Sequence, residues 1–208
     1  SASGTIALAA GSNVVNVGDS LDISGATLSG TYDVRLSGSA TSSVTVAAAH
    51  LTGAASMSEA SGGAKTVTVV GALSGYTIDS TIDTLVLADA TNSVTLGAAA
   101  QSVTGGSGAD TVTMVDSASG TIALAAGSNV VNVGDGVNIN GATLSASGGS
   151  YALNLTGTTA SSTVGASQLT SASGVTETTS GAKTVTVVGA LSGYTLHSTI
   201  DTLVLADA

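Results

Sequence analysis

The chain has 208 residues and a formal net charge of −10, with 43% hydrophobic and only 8% charged residues, 28 Gly, 4 Tyr and no Phe, Trp, Pro or Cys. Plentiful Val, Ile, Leu and Ala with so little charge argue against disorder, and three cations without aromatic platforms argue against nucleic-acid binding. No apolar run reaches the roughly 18 residues of a membrane helix, and the lack of Cys excludes disulfides and Cys-ligated metals.

An internal duplication organises the chain. Residues 1–20 return at 117–136 with one change, Ser20 to Gly136, and residues 63–90 return at 181–208 with two, Ile78 to Leu196 and Asp79 to His197. The segments between, 21–62 and 137–180, are looser copies, and 91–116 occurs once. The reading is a window on a tandem array, with unit 1 at 1–116 and an incomplete unit 2 at 117–208. The opening SASGTIALAA, with neither Met nor a signal peptide, is expected to belong to something longer.

A finer period lies inside the unit. In chain order, apolar-x-apolar triplets begin at Val67, Tyr76, Leu85, Val94, Val112, Ile122 and Val131, with Val103 alone holding the place between Val94 and Val112, a step of nine broken once by a ten. Each triplet predicts a short strand, apolar inward and Thr, Ser or Asn outward. The spacers are rich in turn residues and too short for a crossover helix. The expected fold is therefore an all-β parallel β-solenoid (β-roll or β-helix) with two strands and about 18 residues per coil. No stretch sustains helical patterning. The step fails at 38–62 and 156–180, where wider coils, a bulging loop or a small subdomain would each fit. A thin two-sheet interior accounts for the missing Phe and Trp, and uninterrupted pairing between coils for the missing Pro.

One motif carries chemistry. Gly105-Gly106-Ser107-Gly108-Ala109-Asp110-Thr111-Val112-Thr113 fits the nonapeptide G-G-x-G-x-D-x-U-x at every defined position. It resembles the calcium-binding β-roll repeats of the RTX family of secreted proteins. That resemblance implies secretion, folding triggered by external Ca²⁺, and a metal site of Gly105, Gly106, Gly108 and Asp110 on the turn 105–110. Ca²⁺ takes six to eight oxygens, so the other half should come from the neighbouring coil. Counting two residues back from each triplet stacks Asn92, Asp110 and Asn129 on one edge, and Asp83, Gln101 and Gly120 on the other. Asn92 and Asn129 thereby join the candidate calcium ligands. The alternative for these edges is a ladder of amides and carboxylates bonded coil to coil without metal.

Elsewhere, candidates for chemistry are sparse. His50 and His197 are replaced in the other copy by Gln168 and Asp79, which reads as an exposed, inert position. The acids are scattered rather than paired across a cleft, and no base stands near a nucleophile. Arg35, Lys65 and Lys183 are too few for an anion pocket. A solenoid enzyme such as a polysaccharide lyase finds no groove residues here, and no catalytic function is expected. Outward Thr66, Thr68, Thr77, Thr95, Thr104, Thr111 and Thr113 suggest an ice-binding or adhesive face, although β-propensity alone explains exposed Thr.

The expected role is a structural module of a long, RTX-like, S-layer- or adhesin-like protein at a bacterial cell surface. Its expected partners are neighbouring repeat units or identical chains, meeting end to end or laterally, with Ca²⁺ as the implied cofactor.

Overall fold

Alternating apolar and polar side chains make the strands of the middle coils one-sided, and burying those sides against each other winds the chain into a parallel β-solenoid. The structure is a computed structural model, and it describes residues 1–38, 41–158 and 161–206. Ser39, Ala40, Thr159 and Ala160, inside the two predicted irregular stretches, and Asp207 and Ala208 lie outside the described residues.

Two six-stranded parallel sheets form the middle of the solenoid. The first stacks Ser42–Ala47, Lys65–Val70, Thr84–Val86, Ser102–Thr104, Thr121–Leu124 and Thr143–Ala146. The second stacks Tyr76–Thr77, Ser93–Thr95, Thr111–Thr113, Gly127–Val133, Gly149–Leu155 and Val175–Glu177. Unit 1 opens with two smaller parallel sheets: Ser3–Ala7 beside Gly25–Ser29, and Val14–Val17, Asp33–Leu36 and Met57–Glu59. Unit 2 closes with Ser161–Gly165, Thr184–Val188 and Thr202–Ala206. The column of coils therefore runs from unit 1 into unit 2 without a break, as the tandem reading requires.

The register gives the coil length directly. Thr66 faces Thr84, which faces Ser102, and Val94 faces Val112, so each coil there takes 18 residues. Wider coils replace the step where the sequence lost it: Ser42 faces Lys65 and Ser161 faces Thr184, 23 residues apart. The extra residues hold two helices that the sequence reading did not anticipate, α1 (Ala48–Gly53) and α2 (Ala166–Ser171). At six residues each they present one inward turn, His50 with Leu51 or Gln168 with Leu169, too short for a periodic signal. Neither helix is long or apolar enough to cross a membrane.

The interior is a double row of aliphatics, with Val67, Leu85, Val103 and Ile122 stacked in the first sheet and Val94, Val112 and Val131 in the second, all buried. A fully buried side chain of this size contributes roughly 1.5–3 kcal/mol. The wide coils admit what the narrow ones exclude. Tyr32 and Tyr151 are buried there, and the Tyr151 hydroxyl donates to the Gln168 carbonyl at 2.9 Å.

Candidate functional site

The corner where each coil enters the second sheet brings together Asn92, Asp110 and Asn129, all at most 2% exposed. They stack as the two-residue count predicts, and they bond from coil to coil. Leu73 N–H donates to Asn92 Oδ1 at 3.0 Å, and Asn92 Nδ2 donates to Asp110 Oδ1 at 2.8 Å. Asp110 N–H then donates to Asn129 Oδ1 at 2.9 Å, and Asn129 Nδ2 donates to the Ser150 carbonyl at 3.0 Å. Each amide also holds its own turn: Asn92 Nδ2 reaches the carbonyls of Ala88 and Ala90, four and two residues back. Asn13 makes the same pair of bonds, to Ala9 and Gly11.

Asp110 differs because its turn presents an N–H where the asparagine turns present carbonyls. Gly106 N–H donates to Asp110 Oδ2 at 3.1 Å, while Asn92 N–H and Nδ2 both donate to Oδ1. Burial raises the Asp110 carboxyl above the usual carboxylate range, the Asn92 and Gly106 donors pull it back, and the nearby Asp89 charge adds to the rise. A calcium ion needs six to eight oxygens with lone pairs converging on one point. Here both Asp110 oxygens and the side-chain oxygens of Asn92 and Asn129 already receive N–H groups. Among the described residues no three His, Asp or Glu side chains gather as a metal set. In this arrangement the side-chain oxygens that the motif offers to an ion are turned to N–H donors of their own and neighbouring coils.

Packing accounts for the glycines of the motif. A Cβ on Gly106 would lie 2.1 Å from the Ala88 carbonyl oxygen, and one on Gly108 would lie 2.0 Å from that of Ala90. One on Gly105 would meet Asp110 Oδ2 at 2.7 Å. The turn at 105–110 thus rests directly on the backbone of the coil before it.

The opposite corner is also a ladder. Gln101 Oε1 accepts from Gly97 and Ala98 N–H, and its Nε2 donates to the Asp79 and Ile82 carbonyls at 2.7 and 2.9 Å. Lys65 and Lys183, read from the sequence only as scattered cations, occupy this inward phase and are 0% exposed. Lys183 Nζ donates to the Gly157 and Thr179 carbonyls at 2.8 and 2.7 Å and lies 3.5 Å from Glu177. Lys65 Nζ lies 3.7 Å from Glu59. Each lysine runs its aliphatic stem through the core of a wide coil, and the Lys183 ammonium caps carbonyls there. The signal was available, since both lysines stand two residues before an inward valine.

His50 corrects a sequence expectation, for it is 3% exposed rather than on the surface. Ala47 N–H donates to Nδ1 at 3.2 Å, leaving Nε2 to carry the proton toward the Ala26 carbonyl at 2.9 Å. Gln168 does the same work in the other copy: Oε1 accepts from Gly165 N–H at 2.8 Å, and Nε2 donates to Ile139 and Ala142 carbonyls at 2.6 Å. The swap survives because imidazole and amide both offer one acceptor and one donor on opposite sides. His50→Gln should therefore leave the melting temperature nearly unchanged, whereas His50→Ala should cost about 2–4 kcal/mol by orphaning two buried backbone groups. Thermal melts of the two variants check this. His197 does lie on the surface, bonded to Thr199.

The seven outward threonines divide between opposite faces. Thr66, Thr68 and Thr104 lie on the first sheet, and Thr77, Thr95, Thr111 and Thr113 on the second. The first sheet carries an unbroken hydroxyl row, Ser43, Thr66, Thr84, Ser102, Thr121 and Thr143, beside a second row interrupted by Val86 and Ala123. On the second sheet Asn132 Nδ2 donates to Thr113 Oγ1 and Asn154 Nδ2 donates to Asn132 Oδ1, another coil-to-coil ladder. A shallow depression beside Ser150, Tyr151 and Ser171 offers hydroxyls and no base. No protein-family model, curated protein or solved structure matches the chain.

Proposed function

We propose that the chain is a structural repeat module: a spacer, sheath, filament or surface-layer element of a long secreted protein at a bacterial cell surface. The observation that carries this reading is the continuity of the column. Two copies of the unit, near-identical over 1–20 and 63–90, stack coil on coil with parallel pairing, and the polar corners described above join one coil to the next. Inward chemistry is used for cohesion, and the outward surface is hydroxyl and amide with little charge. Such a surface, without cysteine, suits an extracellular setting, and the role needs no catalysis. Partners in this reading are further repeat units or identical chains stacked end to end. The ladders hold the coils together without a cation, so we infer a metal-free module, and the RTX resemblance is confined to the nonapeptide at 105–113.

Small-angle scattering of this chain and of one lengthened by a whole repeat tests the reading. Six coils separate the first strand of unit 1 from its copy in unit 2, so each repeat should add roughly 29 Å at about 4.8 Å per strand. The cross-section should stay constant. A particle that thickens instead of lengthening would overturn the array. A second reading, an ice-binding or adhesive face, draws on the six-rung hydroxyl row of the first sheet. Faceted growth of ice crystals in dilute solutions of the chain would favour it over the first.

A further inference from the structure

Both ends of this chain have near-copies in its interior, so what covers them can be compared residue by residue. Leu205 is 65% exposed and its copy Leu87 5%; Leu196 is 48% exposed and its counterpart Ile78 1%. At the other end Ile6 is 45% exposed and its copy Ile122 1%. In both interior cases the cover is the same stretch, residues 91–116, which occurs once.

That stretch has two different faces. Toward the rest of unit 1 it receives three backbone donors: Leu73 N–H on Asn92 Oδ1, Ile78 N–H on the Thr95 carbonyl and Leu87 N–H on the Thr104 carbonyl, at 3.0, 2.8 and 2.9 Å. It also sends Gln101 Nε2 to the Asp79 and Ile82 carbonyls. Toward unit 2 it offers Asp110 N–H to Asn129 Oδ1 and Gly105 N–H to the Ala123 carbonyl, both at 2.9 Å, with Val103 opposite Ile122. At the ends of the chain the matching groups are Leu191, Leu196 and Leu205 N–H on one side, and Asn13 Oδ1 and the Ala7 carbonyl on the other.

Resting on the array reading, we propose that the edge Thr202–Ala206 is a docking surface for a segment with the sequence of residues 91–116. The docked segment would in turn present the face that receives residues 1–17 of a following copy. Direct contact between two copies serves less well. Gly4, the copy of Gly120, would stand at the corner that Gln101 fills, leaving the His197 and Ile200 carbonyls without a side-chain donor.

The test appends the sequence of residues 91–116 after Ala208 and follows hydrogen exchange of the Leu191, Leu196 and Leu205 amides. Their exchange should slow at least a hundredfold, toward that of Leu73, Ile78 and Leu87 in the same chain. N92A and Q101A substitutions in the appended copy should return much of that protection. Exchange as fast as in the unextended chain overturns the docking, whatever the particle's length. Full protection in a particle that does not lengthen supports the docking and counts against the array.

Discussion

Asp110→Ala should lower the stability of the coils around it by about 3–5 kcal/mol, because two buried backbone N–H groups lose their acceptor and the Asn92 side-chain amide loses one of its three. Asn92 N–H, Asn92 Nδ2 and Gly106 N–H all converge on this carboxylate, and each orphaned buried donor costs about 1–3 kcal/mol. For a chain of this size that is a fall in melting temperature of roughly 6–20 °C. Asp110→Asn should cost less, about 1–3 kcal/mol. It keeps an acceptor for Asn92 but turns an NH₂ against the Gly106 N–H, and the turn must rearrange to relieve that.

The same variants decide the question of calcium. With the ladder self-sufficient, far-UV circular dichroism in EDTA should already show the full β-signal, and titrated Ca²⁺ should move neither the spectrum nor the melting temperature. A calcium-dependent rise in β-signal that Asp110→Ala abolishes would reverse this conclusion and restore the site that the nonapeptide suggests. The two outcomes differ physically. In one, the Asp110 charge is balanced by N–H dipoles from two coils; in the other, those donors must turn away to admit a cation.

The narrow coils were legible because each strand needs only three residues to declare itself. Val67, Leu85, Val103 and Ile122 repeat at coil length with hydroxyls between them, and a register that fixes one column fixes all. The edges Asn92–Asp110–Asn129 and Asp83–Gln101–Gly120 followed from the same count. The wide coils were hidden, since α1 and α2 show only one inward turn each and their sequences match no period. His50 was misjudged because a change of residue type between copies was equated with a free position, although Gln168 reproduces its hydrogen bonds. The burial of Lys65 and Lys183 went unread, because a buried ammonium is rare. The glycine motif was legible as a turn, but sequence could not separate a cradle for a cation from contact with the preceding coil.

Gly106→Ala and Gly108→Ala test that contact and should be among the most damaging small substitutions in the chain. The added methyl would sit 2.1 or 2.0 Å from a backbone carbonyl oxygen of the preceding coil. Neither partner can yield, since the strands on both sides fix neighbouring coils about 4.8 Å apart. Relief requires breaking the pairing of Thr111–Thr113 with Ser93–Thr95, so each variant should lose more than about 3 kcal/mol, at the far end of the range for point mutations. Gly174→Ala and Gly18→Ala are the controls: nothing lies within 4 Å of either added Cβ. At such positions the methyl acts mainly on the unfolded chain and should stabilise by about 0.4–1 kcal/mol. Urea denaturation of the four variants separates the cases. If Gly106→Ala and Gly108→Ala unfolded at the same urea concentration as the controls, close packing of coils could not be why glycine stands there.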